Sequence, residues 1–275
     1  MRTLKLTIAY DGTAYAGWQL QPGKPTVQGL LECALKKITG RRAPTLASGR
    51  TDAGVHALGQ VVGVRTDCLL PPETLLKALN AHLPRDIAVL EAVDAPDGFH
   101  PIRDVLRKRY RYVIHDGSVR DVFCRRTAWH DARGRLDVEA MRRAAAPLVG
   151  RHDFRSFQSS GAPRKTTVRT VFELSIDRGR AGQGGGPSLS DRHDHTAALS
   201  AFSDSFILID IAADGFLYNM VRAIVGTLAQ VGRGRKPESW PGEALEAADR
   251  RRAGPTAPPQ GLFLVQVDYA PDSNP

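Results

Sequence analysis

Polar and apolar residues alternate almost from the start of the chain. In "TLKLTIA" (residues 3–9) every second position is apolar, the period of a strand with one buried face. The period then changes. After Thr26, a capping residue, Val27, Leu30, Leu31, Ala34, Leu35 and Ile38 fall on one stripe at helical spacing. A short strand is expected over 44–49 and a longer one over 57–66. Pro71 and Pro72 open a second helix carrying Leu75, Leu76, Leu79 and Leu83, and "DIAVLEAV" (86–93) closes the set as a strand. The order is β-α-β-β-α-β.

The second half repeats that order. "KRYRYVIHD" (108–116) alternates as a strand, and "VFCRRTAWH" (122–130) reads as its hairpin partner. A helix is expected over 137–149, strands over 167–176 and 201–213, a long amphipathic helix over 215–232, a smaller one near 242–252 and a last strand over 261–269. Two split β-α-β units therefore predict an α+β chain: a ferredoxin-like half at 1–105 and a second at 106–269, with sheets side by side around a basic cleft. Between two strands, residues 179–200 ("GRAGQGGGPSLSDRHDHTAALS") are of low complexity and read as a disordered insertion, and 270–275 as a loose tail. His193 and His195 in the insertion suit a solvated loop better than a metal site.

Composition narrows the classes. No apolar run approaches the roughly 18 residues of a membrane span, and the N-terminus lacks a signal's continuous apolar stretch, so the expected location is the cytoplasm. Cys33, Cys68 and Cys124 form no Cys-x-x-Cys pair and are expected to be reduced and mostly buried. The net charge is +9, carried by 30 arginines and only eight lysines. Planar guanidinium groups suit phosphate forks and base stacking, so the charge points toward nucleic acid, with arginine-rich coding as the bland competitor.

The candidate chemistry sits in "ASGRTDAGVHALGQVV" (47–62). Asp52 lies two residues from Arg50 on a loop flanked by Gly49 and Gly54, with His56 behind. An aspartate in a turn commonly bonds nearby amides, and that structural reading stands beside the chemical one. A neighbouring cation lowers an aspartate's pKa by about 1–3 units, and an ionised carboxylate in a groove is a nucleophile or a base. No second carboxylate motif accompanies it, as hydrolysis of sugars would need.

The loop and the blocks around it resemble the TruA family of tRNA pseudouridine synthases. "GRTDAGVHA" is similar to the family's active-site signature. "YDGTAYAGWQLQP" (10–22), "TVQGLLECAL" (26–35), "FH" (99–100), "KRYRY" (108–112), "HDFRSF" (152–157), "TVRTV" (167–171), "GFLYNMVRAIVGTL" (215–228) and "GLFLVQVDY" (261–269) resemble its further motifs in order. The resemblance implies isomerisation of uridine to pseudouridine in the anticodon stem-loop of tRNA, at nucleotides 38 to 40, with no cofactor and no metal. It makes Asp52 the catalytic aspartate, acting on the sugar or base as a nucleophile or removing a sugar proton. Arg50 would hold Asp52, Tyr110 would pack on the base, and Arg222 and Leu262 would reach the same pocket, with Arg222 pairing with Asp52.

For RNA contact the resemblance and the basic edges single out Gln21, Phe99, His100, Arg103, Arg107, Lys108, Arg164 and Lys165, with Tyr15 and Trp18 in the first loop as further lining and core packing as the rival reading of Trp18. It also implies a homodimer that shares one tRNA. The chain departs from the family in three places. "FHPIR" (99–103) displaces the arginine of the usual Phe-His-Ala-Arg, Asn219 stands where histidine is common, and "SSGAPRKTT" (159–167) differs from the usual RNA-facing loop. The competing readings are a non-catalytic RNA-binding or tRNA-chaperone module and a synthase acting on another RNA.

Overall fold

In a computed structural model, residues 1–161, 165–179 and 204–270 are described. Arg164, the tail from 271 and, apart from Gly179, the insertion at 179–200 with its two histidines lie outside them. Two compact units emerge: Met1–Lys108 together with the chain from Phe263, and Arg109–Leu262.

In the first unit the opening alternation becomes β1 (Arg2–Tyr10), with Leu4, Leu6, Ile8 and Tyr10 on its buried face. Helix α1 (Val27–Thr39) begins where the Thr26 side chain accepts from the Gly29 amide, and ends at Gly40, whose left-handed φ of 73° suits glycine. Its stripe of Val27, Leu31, Ala34 and Leu35 is buried. The short β2 (Thr45–Ala47) precedes β3 (His56–Thr66). Helix α2 (Pro72–His82) buries Leu75 and Leu79, and β4 (Ile87–Asp94) follows. The strand order is β4-β1-β3, with β2 paired antiparallel to β3, which is the ferredoxin-like arrangement.

The last strand, β10 (Leu262–Tyr269), pairs parallel to β3 through Phe263↔His56 and Leu264↔Ala57. Sequence order had put it in the second half. From Phe263 onward it packs with the first unit, because hydrogen bonding to β3 outweighs position along the chain.

The second unit contains most of β5 (Val105–His115), β6 (Trp129–His130), α3 (Val138–Ala145), β7 (Gly150–Asp153), β8 (Val168–Arg178), β9 (Phe206–Ala213), α4 (Met220–Gly232) and α5 (Trp240–Ala247). Its strands run β5-β9-β8-β7, with β6 on β5. Arg109 and Arg111 project from β5 into ion pairs with Glu173 of β8 and Asp210 of β9, and Arg111 is buried with its partner 2.8 Å away.

Four expectations change here. Residues 122–130 do not form a hairpin: only Trp129 and His130 pair with β5, in parallel, because residues 121–128 bond to one another instead. The long helix starts at Met220 rather than 215, because Asn219 adopts a left-handed φ of 60° and so sets the helix entry. The helix expected over 242–252 runs from Trp240 to Ala247 and stops at Ala248, also left-handed, before a separate 3-10 turn. The strand Gly150–Asp153 was not anticipated. Of the cysteines only Cys124 is buried; Cys33, on the solvent side of α1, is exposed and Cys68 is intermediate.

Candidate active site

The loop carrying Asp52 joins β2 to β3, and its backbone is fastened along most of its length. The Ser48 amide donates to Val61 O at 2.8 Å, and its hydroxyl bonds Gln60 Oε1 at 2.7 Å. Gln60, itself buried, donates from Nε2 to Gly49 O at 2.8 Å, and Lys108 Nζ donates to Ser48 O at 2.7 Å. Thr51 is held twice: its carbonyl accepts from the Trp18 amide at 3.0 Å, and its Oγ1 lies 2.8 Å from the Tyr10 hydroxyl. Burial pushes the Tyr10 phenol up to about 12, so it remains a neutral hydroxyl for that bond. The Val55 amide then closes a turn onto Asp52 O at 3.1 Å, with Gly54 supplying the left-handed φ of 77°.

The first loop presses on the same backbone. A Cβ on Gly12 would lie 1.9 Å from Val55 O, and one on Gly17 2.6 Å from Thr51 O. Neither position has room for a side chain. At the end of the loop stands His56, 2% exposed, stacked on Phe263 with ring centroids 4.7 Å apart. Its Nδ1 is 3.1 Å from both Asp11 Oδ1 and the Gly12 amide. One nitrogen cannot donate to the carboxylate and accept from the amide, so the two contacts disagree. A proton on Nδ1 satisfies Asp11 and leaves Nε2, which has no partner among the described residues, as a bare acceptor. The other tautomer would bury an unpaired N–H and face a carboxylate with a lone pair, so we favour the first. The bond to His56 holds the Asp11 carboxyl well below the usual carboxylate range.

These fastenings leave Asp52 half-buried and Arg50 exposed. The clamp of Tyr10, Asp11, Gly12, Gly17 and His56 was not legible as such. Only its proximity in "YDGTAYAG" and "GVHA" hinted at it, since which carbonyl a glycine approaches is decided by tertiary packing.

The other candidate residues of the first unit occupy varied settings. Gln21 Nε2 braces the first loop through Ala16 O at 2.8 Å. Phe99 packs edge-on against Tyr269 at 5.2 Å, and His100 Nδ1 accepts from the amides of Ile102 and Arg103, capping a turn. The displaced Arg103 is exposed and paired with Asp104 at 2.7 Å, and Arg107 with Asp268 at the same distance. Tyr15, expected to line a groove, is instead a core residue whose hydroxyl donates to Asp86 at 2.5 Å, and Trp18 follows its rival reading as core, almost wholly buried.

In the second unit Tyr110 is buried with its ring edge-on to Phe216 at 5.0 Å, while Tyr112, two residues along the same face, donates to Pro258 O at 2.7 Å. Arg222, on the first turn of α4, is oriented by two neutral acceptors: Ala257 O at 2.7 Å and Asn219 Oδ1 at 2.8 Å. The left-handed Asn219, where the family commonly has histidine, thus sets the helix entry and steers Arg222. Its Nδ2 donates in turn to Ser159 Oγ at 3.1 Å. Leu262 is buried and Lys165 exposed. Among the described residues no group of three or more His, Cys, Asp and Glu side chains has the arrangement of a metal site.

Comparison with known proteins bears on this arrangement. The family model described as "tRNA pseudouridine synthase" matches residues 6–102 and 144–270, so it includes Asp52, Arg222 and Leu262 and leaves Tyr110 between its two stretches. A protein of Moorella thermoacetica named tRNA pseudouridine synthase A is 48% identical over 272 residues, 98% of this chain and all of that one. Proteins of the same name from Geotalea uraniireducens and Myxococcus xanthus are 45% and 42% identical over 98% of this chain, covering 100% and 92% of their own lengths. A full-length likeness of this degree, with the signature loop intact, makes this chain a member of the tRNA pseudouridine synthase family.

Proposed function

We propose that this protein isomerises uridine to pseudouridine in the anticodon stem-loop of tRNA, at nucleotides 38 to 40, with Asp52 as the catalytic group. The reading is carried by the Asp52 loop: a half-buried carboxylate on a backbone fastened at Ser48, Gly49, Thr51 and Asp52, in a member of this family. In the reaction the N1–C1′ bond breaks and a C5–C1′ bond forms. The proton on C5 is lost and N1 gains one, so no electrons enter or leave. An ionised carboxylate serves this chemistry either as a nucleophile attacking the sugar or the base, or by removing a sugar proton.

A base within a stem must first be extruded, at a cost of a few kcal/mol. Asp52, Arg50 and Tyr110 form the reacting set of this proposal, with Tyr110 packing on the base and Arg222 and Leu262 contacting the extruded nucleotide. Gln21, Phe99, His100, Lys108 and Lys165 contact the RNA. Arg103 and Arg107 do so only by exchanging Asp104 and Asp268 for phosphates, so each contributes less than its charge suggests. The family resemblance further supports a homodimer acting in the cytoplasm. Among the described residues no helix is long and apolar enough to cross a membrane.

The test is to incubate the protein with unmodified tRNA transcripts, adding no cofactor, and to map pseudouridine by position. The wild type should modify nucleotides 38 to 40. Asp52→Asn should bind tRNA within several-fold of wild type and form no product; product at the wild-type rate from that variant would remove Asp52 from the mechanism.

A further inference from the structure

Far along the chain from the signature loop, residues 117–128 leave β5 and return at β6. They fall between the two stretches that the family model matches. This loop holds itself together. Asp121 Oδ1 accepts from the amides of Phe123 and Cys124 at 2.8 and 3.2 Å. Cys124 O accepts from the amides of Thr127 and Ala128 at 3.0 and 2.9 Å, and Arg125 Nη1 donates to Val122 O at 2.7 Å. With its polar groups so engaged, the loop still presents three large apolar side chains to solvent: Val119 is 78% exposed, Val122 54% and Phe123 89%. Beside them lies a cavity of about 160 Å³ whose lining includes His115, Arg120, Cys124, Arg125 and His130.

The charge around this apolar tip has one sign. Arg120, Arg125 and Arg126 are exposed, and neither Arg120 nor Arg126 has a hydrogen-bond or ion-pair partner among the described residues. Asp121, the one acid within residues 117–128, is turned inward onto the loop amides, and the bond from the Phe123 amide holds its carboxyl below the usual range. Its negative charge is therefore spent on the loop. A rigid aromatic ring raised between free guanidinium groups is the chemistry that stacks on a nucleobase while the cations meet flanking phosphates. A second copy of the chain would bring like charges together on the same patch, which argues against it as the occupant.

We propose that residues 119–126 form a second RNA-docking element, in which Phe123 stacks on an unpaired or terminal base and Arg120 and Arg126 contact the adjoining phosphates. This rests on the tRNA reading above. It extends that reading by assigning the element to a part of the tRNA outside the anticodon stem-loop.

The test uses the full-length protein, with Phe123→Ala, the pair Arg120→Gln/Arg126→Gln and the triple variant, and two substrates: whole tRNA and an excised anticodon stem-loop. On whole tRNA the triple variant should raise KM by roughly tenfold or more and leave kcat unchanged. It should also make the salt dependence of binding shallower by about 1.4–1.8 in log–log slope, for two phosphate contacts. On the stem-loop it should match wild type. Equal KM on whole tRNA, or equal losses on both substrates, overturns the proposal. So does a fall in oligomeric state by sedimentation, which would identify the patch as an interface between copies. If the wild type itself forms no pseudouridine, it is the functional reading that fails; binding of whole tRNA and its salt slope still decide whether this element docks RNA.

Discussion

Asp52 and Asp11 show how two carboxylates on adjoining loops acquire different work. Asp52 sits at a turn whose backbone, rather than its side chain, carries the bond to Val55. Asp11 is committed to Thr13 and His56. Because His56 favours its charged form, Asp11 titrates below the ordinary range in the folded protein. The sign follows: its contribution to stability is fully present above the unfolded value of about 3.9 and is lost as pH falls through the lower folded value. The Asp11 side chain is 37% exposed, so after solvent screening the contribution is roughly 1 kcal/mol. Urea midpoints measured from pH 6 down to pH 3 should therefore fall for wild type, while Asp11→Asn starts lower and loses less with acid. Parallel curves for the two proteins would exclude a special role for the Asp11–His56 bond.

At the scale of elements, the glycines of the first loop distinguish a strained backbone from a crowded one. Gly17 and Gly23 both have left-handed φ values, 94° and 70°, but a Cβ on Gly17 would meet the Thr51 carbonyl at 2.6 Å whereas one on Gly23 would meet nothing within 4 Å. Gly23→Ala should cost about 1 kcal/mol in a denaturation experiment and leave kcat unchanged. Gly17→Ala should cost roughly 1–3 kcal/mol and lower kcat by tenfold or more, because the displaced backbone carries Asp52. Equal kcat values for the two variants would show that the first loop does not position the carboxylate. The same logic governs α4. A Cβ on Gly226 would lie 1.7 Å from Pro255 O, so the helix and the segment after α5 touch backbone to backbone. From sequence, the period of α4 was readable while its start was not, since the stripe continues through Phe216 and Leu217 and only the local conformation of Asn219 ends it.

For the molecule as a whole, the number of arginines overstates the charge available to RNA. Of the 30 arginines, Arg109, Arg111, Arg178 and Arg233 are spent on Glu173, Asp210, Asp116 and Asp131 within the second unit. One phosphate for each of the 26 remaining arginines would give a log–log salt slope of about −23; tRNA binding measured between 50 and 200 mM salt should be far shallower, about −8 if only the net charge of +9 is neutralised, while remaining salt-dependent. No salt dependence would rule out phosphate-led binding. The sequence by itself determined the elements whose signal is local: the alternation of β1, the capped stripe of α1, the repeated β-α-β-β-α-β order and the signature around Asp52. Each depends on residues a few positions apart and on the fixed periods of strand and helix. Tertiary structure alone decided that β10 from Phe263 pairs with β3, that Trp18 fills the core, and that Gly12 and Gly17 press on the Asp52 loop. It also left Phe123 raised among arginines. Those outcomes depend on which distant backbone arrives alongside, and hydrogen bonding and close packing settle that only once the chain has folded.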